Sequence, residues 1–182
     1  MGRRKQELSP VRRSRPLGRI IEIASSSFVI GQRLPIEYTE DGANVSPPLA
    51  WSRLPEGTRS IAVVAEDSDA PGERPWVHWV LYDVLPFVPE LGVSLTALPE
   101  DISRAGSPRE LPGAKQGRND FGTVGYRGPA PPRGHGTHHY HFRLYAMDST
   151  LDLPEGATKA DLIRALQGKV LGTGEIVATY SR

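Results

Sequence analysis

Four of the five histidines in this chain fall within the stretch "HGTHHYHF" (135–142), as His135, His138, His139 and His141. Histidine titrates near neutrality and is the commonest metal ligand, so the spacing admits a metal site, a catalytic base or a hydrated strand. Side chains alternate along a strand. His138, Tyr140, Phe142, Leu144 and Ala146 then share one face, and His139, His141, Arg143 and Tyr145 the other. The first face is apolar beyond its leading end, so His138 and Tyr140 are expected to point inward where core gives way to pocket. His139 and His141 are expected to face water.

Two other segments end in similar fashion. "IAVVAEDSDAP" (61–71) puts Ile61, Val63, Ala65, Asp67 and Asp69 on one face, so two carboxylates close an apolar run. A carboxylate buried there must be paired or hydrogen-bonded. "WVHWVLYDV" (76–84) places His78 on one face with Trp76, Val80, Tyr82 and Val84. In the plainer alternative Asp67 caps a turn and His78 is a satisfied core histidine. Three strands that each end in an inward polar group beside a Pro/Gly loop weigh for a pocket. Two histidines and a carboxylate (His78, His138, Asp67) also compose the facial triad of non-haem iron sites, which leaves a metal-dependent enzyme as the alternative.

The elements that must position these groups are mostly strands. The 19 glycines and 17 prolines are spread among short apolar runs, the texture of an all-β sandwich or barrel. Strands are expected over 59–67, 77–84 and 138–148, with a last one in "GEIVATYSR". About fifty residues rich in Gly and Pro separate the second strand from the third and include "GPAPPRGHG" (128–136); loops of that length usually carry function. One helix is expected over 157–168, with Thr158 as N-cap, Leu162, Ile163 and Leu166 on one face, and Gly168 as its stop. "GKVLGTGE" (168–175) follows that helix and reads as a connecting turn. Nucleophile-elbow, phosphate-loop and zinc-helix motifs are absent.

At 182 residues the length suits about one domain. The absence of cysteine removes disulfides, thiolate metal sites and a cysteine nucleophile, and suits a reducing cytoplasm. The net charge of +1 hides an asymmetry, because residues 1–20 hold seven basic side chains against Glu7 alone. Residues 1–17 are therefore expected to form a basic, disordered arm, and 18–182 a single domain. Such an arm could attract nucleic acid or an anionic membrane, but no specific nucleic-acid partner is expected. No apolar run approaches the length of a membrane span, and a secretory signal's apolar stretch is missing, so a cytoplasmic location is expected.

Together "FVIGQRLPIEYTEDGANVSPPLAW" (28–51), "EDSDAP" (66–71), "WVHW" (76–79), "GYRGPAPPRGHGTHHYHF" (125–142) and the closing "ATYSR" resemble the phosphatidylethanolamine-binding protein family, in its prokaryotic Raf-kinase-inhibitor-like branch. The resemblance runs from about residue 20 to the C-terminus. It implies a mainly β fold, an antiparallel Greek-key β-sandwich with one or two short helices. It also implies a small pocket for phosphate-type anions or phosphorylated head groups, with no catalytic residues, no cofactor and no metal. Carried over by motif, the ligand-binding residues are Asp67, Pro71, Trp76, His78, His138 and Tyr140. The stretch Gly128 to Pro132, with Gly128, Ala130 and Pro131 among the ligand-binding residues, is implied to form the wall and to offer backbone N–H groups to the anion. The bond before Pro71 is expected to be cis, and Ser68, which stands where the family usually has proline, to loosen its turn. A protein kinase or protease is the implied target, and a homodimer is left open.

Overall fold

The fold is known from a computed structural model that describes residues 18–88, 93–104 and 106–182. The expected basic arm, 1–17, lies outside the described residues. In chain order the strands are β1 (Arg19–Ile20), β2 (Glu22–Ala24), β3 (Leu49–Ser52), β4 (Ser60–Asp67), β5 (Trp76–Val84), β6 (Phe87–Val88), β7 (Val93–Ser94), β8 (Ala97–Leu98), β9 (Lys115–Gln116), β10 (His138–Met147) and β11 (Val170–Tyr180). A 3-10 turn spans Ile36–Tyr38, and helix α1, Lys159–Ala165, precedes β11.

The main sheet runs β1-β11-β10-β4-β5-β9, and a smaller one β2-β3-β8. Strand β10 lies beside β4 on the side away from β5 and β9, which is the Greek-key order. Every pairing in these two sheets is antiparallel except that of β1 with β11. Valine and aromatic residues dominate β5, which suits a pleated surface packed on both sides.

Alternation divides β4 between two cores. Ile61, Val63 and Ala65 pack with Leu49, Trp51 and Leu98 of the small sheet, forming the sandwich interior. Ala62 and Val64 point the other way, toward Leu162 and Leu166 of the helical segment. The helix begins where expected. Thr158 Oγ1 accepts from the Asp161 N–H, and the Asp161 carboxylate accepts from the Thr158 N–H, a reciprocal cap. It is shorter than expected, however, and Ile163 is turned outward.

Two expectations about β11 and β5 are corrected. The segment 170–175 is strand, not turn, because β11 pairs with β10 along its whole length. Its glycines serve a close crossing instead: a Cβ at Gly174 would lie 2.3 Å from the Ile21 carbonyl oxygen. In β5 simple alternation fails. Ala65 pairs with Trp79 but Glu66 pairs with Val77, so His78 is an extra residue in a bulge. His78 therefore faces the same side as Trp76, Trp79 and Leu81, while Val80 and Tyr82 face the helix. A second irregularity lies between Ile61 and Val63, where Asp83 of β5 takes a φ of 57°.

Candidate functional site

Pairing register assembles the site. Tyr140 of β10 lies opposite Asp67 of β4, which lies opposite Trp76 of β5, so one row across three strands presents all three side chains to the same face. His138 precedes Tyr140 by two residues on that face, and the β5 bulge adds His78. Together with Ala70 and Pro71 after β4, Phe121, and Ala130, Pro131 and Pro132 of the long loop, they line a cavity of about 230 Å³.

Asp67, His78, His138 and Tyr140 are all buried, and most of their polar atoms have partners. Asp67 Oδ2 lies 2.7 Å from His138 Nδ1, and Asp67 Oδ1 accepts from the Asp69 N–H at 2.8 Å. A carboxylate only accepts, so His138 Nδ1 carries a hydrogen, and its Nε2 stands 2.8 Å from His135 Nδ1. His78 Nδ1 donates to the Arg127 carbonyl at 2.6 Å, which leaves Nε2 as the acceptor of the neutral ring. Burial pushes the His78 imidazole below its ordinary value; the Arg127 carbonyl and the Asp67 charge oppose this less strongly.

The aromatic side of the cavity is built edge to face. Phe121 meets Trp76 at 5.5 Å and His78 at 5.2 Å between ring centroids, and His78 meets Tyr140 at 5.3 Å. The Arg127 guanidinium lies 4.3 Å from the Phe121 centroid and is paired with Glu40, so it is not a free cation for the cavity. The Tyr140 hydroxyl is buried and makes no hydrogen bond. The Asp67 carboxylate is close enough to act on it both as a charge and as a neighbouring acceptor. Burial first, and Asp67 second, push its pKa far above the usual tyrosine value, so it stays protonated.

Eight of the nine ligand-binding residues implied by the resemblance meet at this cavity. Gly128 does not. Its N–H donates to Asn44 Oδ1 at 2.8 Å, and it packs so closely on the Tyr38–Thr39 backbone that a Cβ would lie 2.3 Å from the Tyr38 oxygen. The wall of N–H groups is correspondingly reduced, since Pro129, Pro131 and Pro132 have none to offer. Asp69 does not face inward with Asp67 either. Strand β4 ends at Asp67, and beyond it Asp69 turns out to bond His139 through both the ring Nδ1, at 2.9 Å, and the backbone N–H, at 2.7 Å.

Two expectations about this turn are also corrected. Every described peptide bond is trans, including the one before Pro71; the reversal is completed instead by the Asp67–Asp69 bond and by Gly72 at φ 135°. Ser68 does not loosen the turn. Its N–H donates to the His139 carbonyl at 3.1 Å, a bond proline could not make. His139 is exposed and His141 partly so, as alternation required. Ala70 and Pro132 fall within the matched motifs 67–71 and 128–132, whereas Phe121 lies in neither and has no strand periodicity to reveal it. Among the described residues, no group of three or more His, Asp or Glu side chains is arranged to hold a metal ion, and no helix is long and apolar enough to cross a membrane.

Comparison with known proteins places these observations beside others. The family model described as phosphatidylethanolamine-binding protein matches residues 24–181. A UPF0098 protein of Methanothermobacter thermautotrophicus is 45% identical over 151 residues, covering 82% of this chain and 91% of that protein. LppC of Mycobacterium tuberculosis, named as a candidate lipoprotein, is 36% identical over 165 residues, covering 91% and 74%. Among solved structures, Escherichia coli YbcL, described as a member of the mammalian PEBP family, superposes with a TM-score of 0.78. It is 32% identical, and the match covers 89% of this chain and 98% of YbcL.

Proposed function

Because the chain belongs to the phosphatidylethanolamine-binding protein family, we propose that the cavity binds phosphate-type anions or phosphorylated head groups without chemical turnover, through Asp67, Pro71, Trp76, His78, Ala130, Pro131, His138 and Tyr140. The observation that carries this reading is the Tyr140 hydroxyl, a donor held protonated, buried in the cavity lining and left without a partner. Burying such a group costs about 1–3 kcal/mol unless a ligand satisfies it.

The remaining polar groups define which anion fits. Asp67 is an acceptor, the Nε2 of a neutral His78 accepts hydrogen rather than donating it, and that of His138 does the same when its hydrogen sits on Nδ1. A dianion would therefore meet one donor hydroxyl and several acceptors. A monoanion that still carries a P–OH offers Tyr140 an oxygen and gives its own proton to an acceptor. Trp76 and Phe121 supply an apolar side for the organic part of a head group.

Isothermal titration of phosphoethanolamine from about pH 5 to pH 8, after exhaustive chelation, tests this. Affinity should fall as pH rises through the second phosphate pKa of about 6, and Asp67→Asn should flatten the fall by removing the repelling charge. Binding that disappears on chelation and returns with a divalent metal would overturn the reading and favour the metal-dependent alternative built on His78, His138 and Asp67, since metal affinity rises with pH as ligands deprotonate.

A further inference from the structure

The fourth histidine of the opening cluster has a place that the anion reading does not use. His135 lies outside the cavity lining, on the exposed loop between Pro132 and β10, yet its Nδ1 stands 2.8 Å from His138 Nε2. The two ring centroids are 5.0 Å apart. With a single hydrogen on His138, held on Nδ1 toward Asp67, Nε2 is the acceptor and His135 Nδ1–H the donor. The acceptor that a ligand's P–OH would take is thus already occupied by a group from the protein itself.

We propose that His135 is an internal surrogate for the ligand: its Nδ1–H holds the His138 acceptor in the empty pocket and is displaced when the hydroxyl of a protonated phosphate takes the same position. The proposal rests on the anion reading above and names the exchange by which that site fills. One donor replaces another on His138 Nε2.

The loop is built to release the ring. Gly134 and Gly136 flank His135 with φ of 76° and 92°, in the region that favours glycine, and a Cβ at either would meet nothing within 4 Å. The His135 N–H closes a turn onto the Pro132 carbonyl at 3.1 Å, next to the proline wall of the pocket. The displaced imidazole enters water, where its N–H finds another acceptor. The exchange therefore gives up only the net advantage of the His135–His138 bond over a hydrated imidazole, and removing the competitor should tighten binding about three- to tenfold.

The experiment titrates inorganic phosphate at pH 6 into the wild-type protein, His135→Ala and His138→Ala. It pairs the titration with nitrogen-15 imidazole spectra of the wild type, with and without phosphate. His135→Ala should bind phosphate three- to tenfold tighter than wild type. In the spectra, His135 should carry its hydrogen on Nδ1 in the free protein and lose that fixed state at saturation, giving the nitrogen shifts of a hydrated imidazole. Equal or weaker binding by His135→Ala, or His135 nitrogen shifts that phosphate leaves unchanged, overturns the displacement while leaving the pocket standing. Undiminished phosphate binding by His138→Ala, or no binding by the wild type, overturns the anion reading itself and the displacement with it.

Discussion

Replacing Tyr140 by Phe removes one oxygen and leaves the ring that packs between His78 and the sandwich core. In the ligand-free protein that oxygen is buried without a hydrogen bond, a burden of about 1–3 kcal/mol. Deleting it recovers part of this cost, less the dispersion attraction forfeited around a gap too small for water. A net stabilisation of about 1 kcal/mol follows, which for a domain of this size raises Tm by about 2–4 °C. The same change should weaken binding. A donor lost to a charged acceptor costs about 1.5–3 kcal/mol, roughly ten- to a hundredfold in Kd.

The two effects have opposite sign, and this separates a ligand-binding hydroxyl from a structural one. Thermal melts of wild type and Tyr140→Phe in phosphate-free buffer should show the variant more stable. Melts in saturating phosphoethanolamine should show the wild type catching up, because ligand bound to the folded state stabilises it in proportion to occupancy. A variant less stable without ligand would mean that the hydroxyl already has a partner in the fold. Unchanged affinity would mean that it never meets the ligand. Either result refutes the argument from the orphaned donor.

Other outcomes follow from the same geometry. His138→Ala should weaken phosphoethanolamine binding by about 1.5–3 kcal/mol, whereas His139→Ala and His141→Ala, on the opposite face, should leave it nearly unchanged by isothermal titration; equal losses at all three would contradict the register. Burial depresses the His78 pKa below its reference value of 6.5, so the unfolded chain takes up a proton that the folded ring resists. The corresponding stability is complete above about pH 6.5 and is lost as pH falls from there toward the folded value; a wild-type Tm that declines more steeply below pH 6.5 than that of His78→Phe would show it. Gly174→Ala forces a Cβ against the Ile21 carbonyl and should cost about 1–3 kcal/mol, read from the midpoint of urea unfolding.

Alternation located the polar groups that β4 and β10 bring to the pocket, and the motif resemblance the rest of its matched lining. The apolar residues at 61, 63 and 65 and at 142, 144 and 146 define one side of each strand, and the polar groups at their ends fall on that side: Asp67, His138 and Tyr140. The same rule failed wherever the strand stopped or slipped. Beyond Asp67 the chain turns, so Asp69 obeys its hydrogen bonds to His139 rather than the period of two. Gly128 matched a motif by position, but close approach to the Tyr38–Thr39 backbone, far earlier in the chain, decided its place. A local pattern carries no information about such a neighbour.

His78 shows how much depends on one residue. Read by alternation it shares a face with Val80 and Tyr82, but those two pack toward the helix, so a β5 without its bulge could present either His78 to the pocket or Trp79 and Leu81 to the sandwich core, not both. The single extra residue between the Glu66–Val77 and Ala65–Trp79 pairs satisfies both demands. It also fixes the tautomer, because the ring it turns inward hydrogen-bonds to the Arg127 carbonyl, whose own N–H bonds back to the His78 carbonyl at 3.0 Å. The bulge thereby sets both the position of His78 and the acceptor it offers, and so bears directly on the preference for a protonated anion.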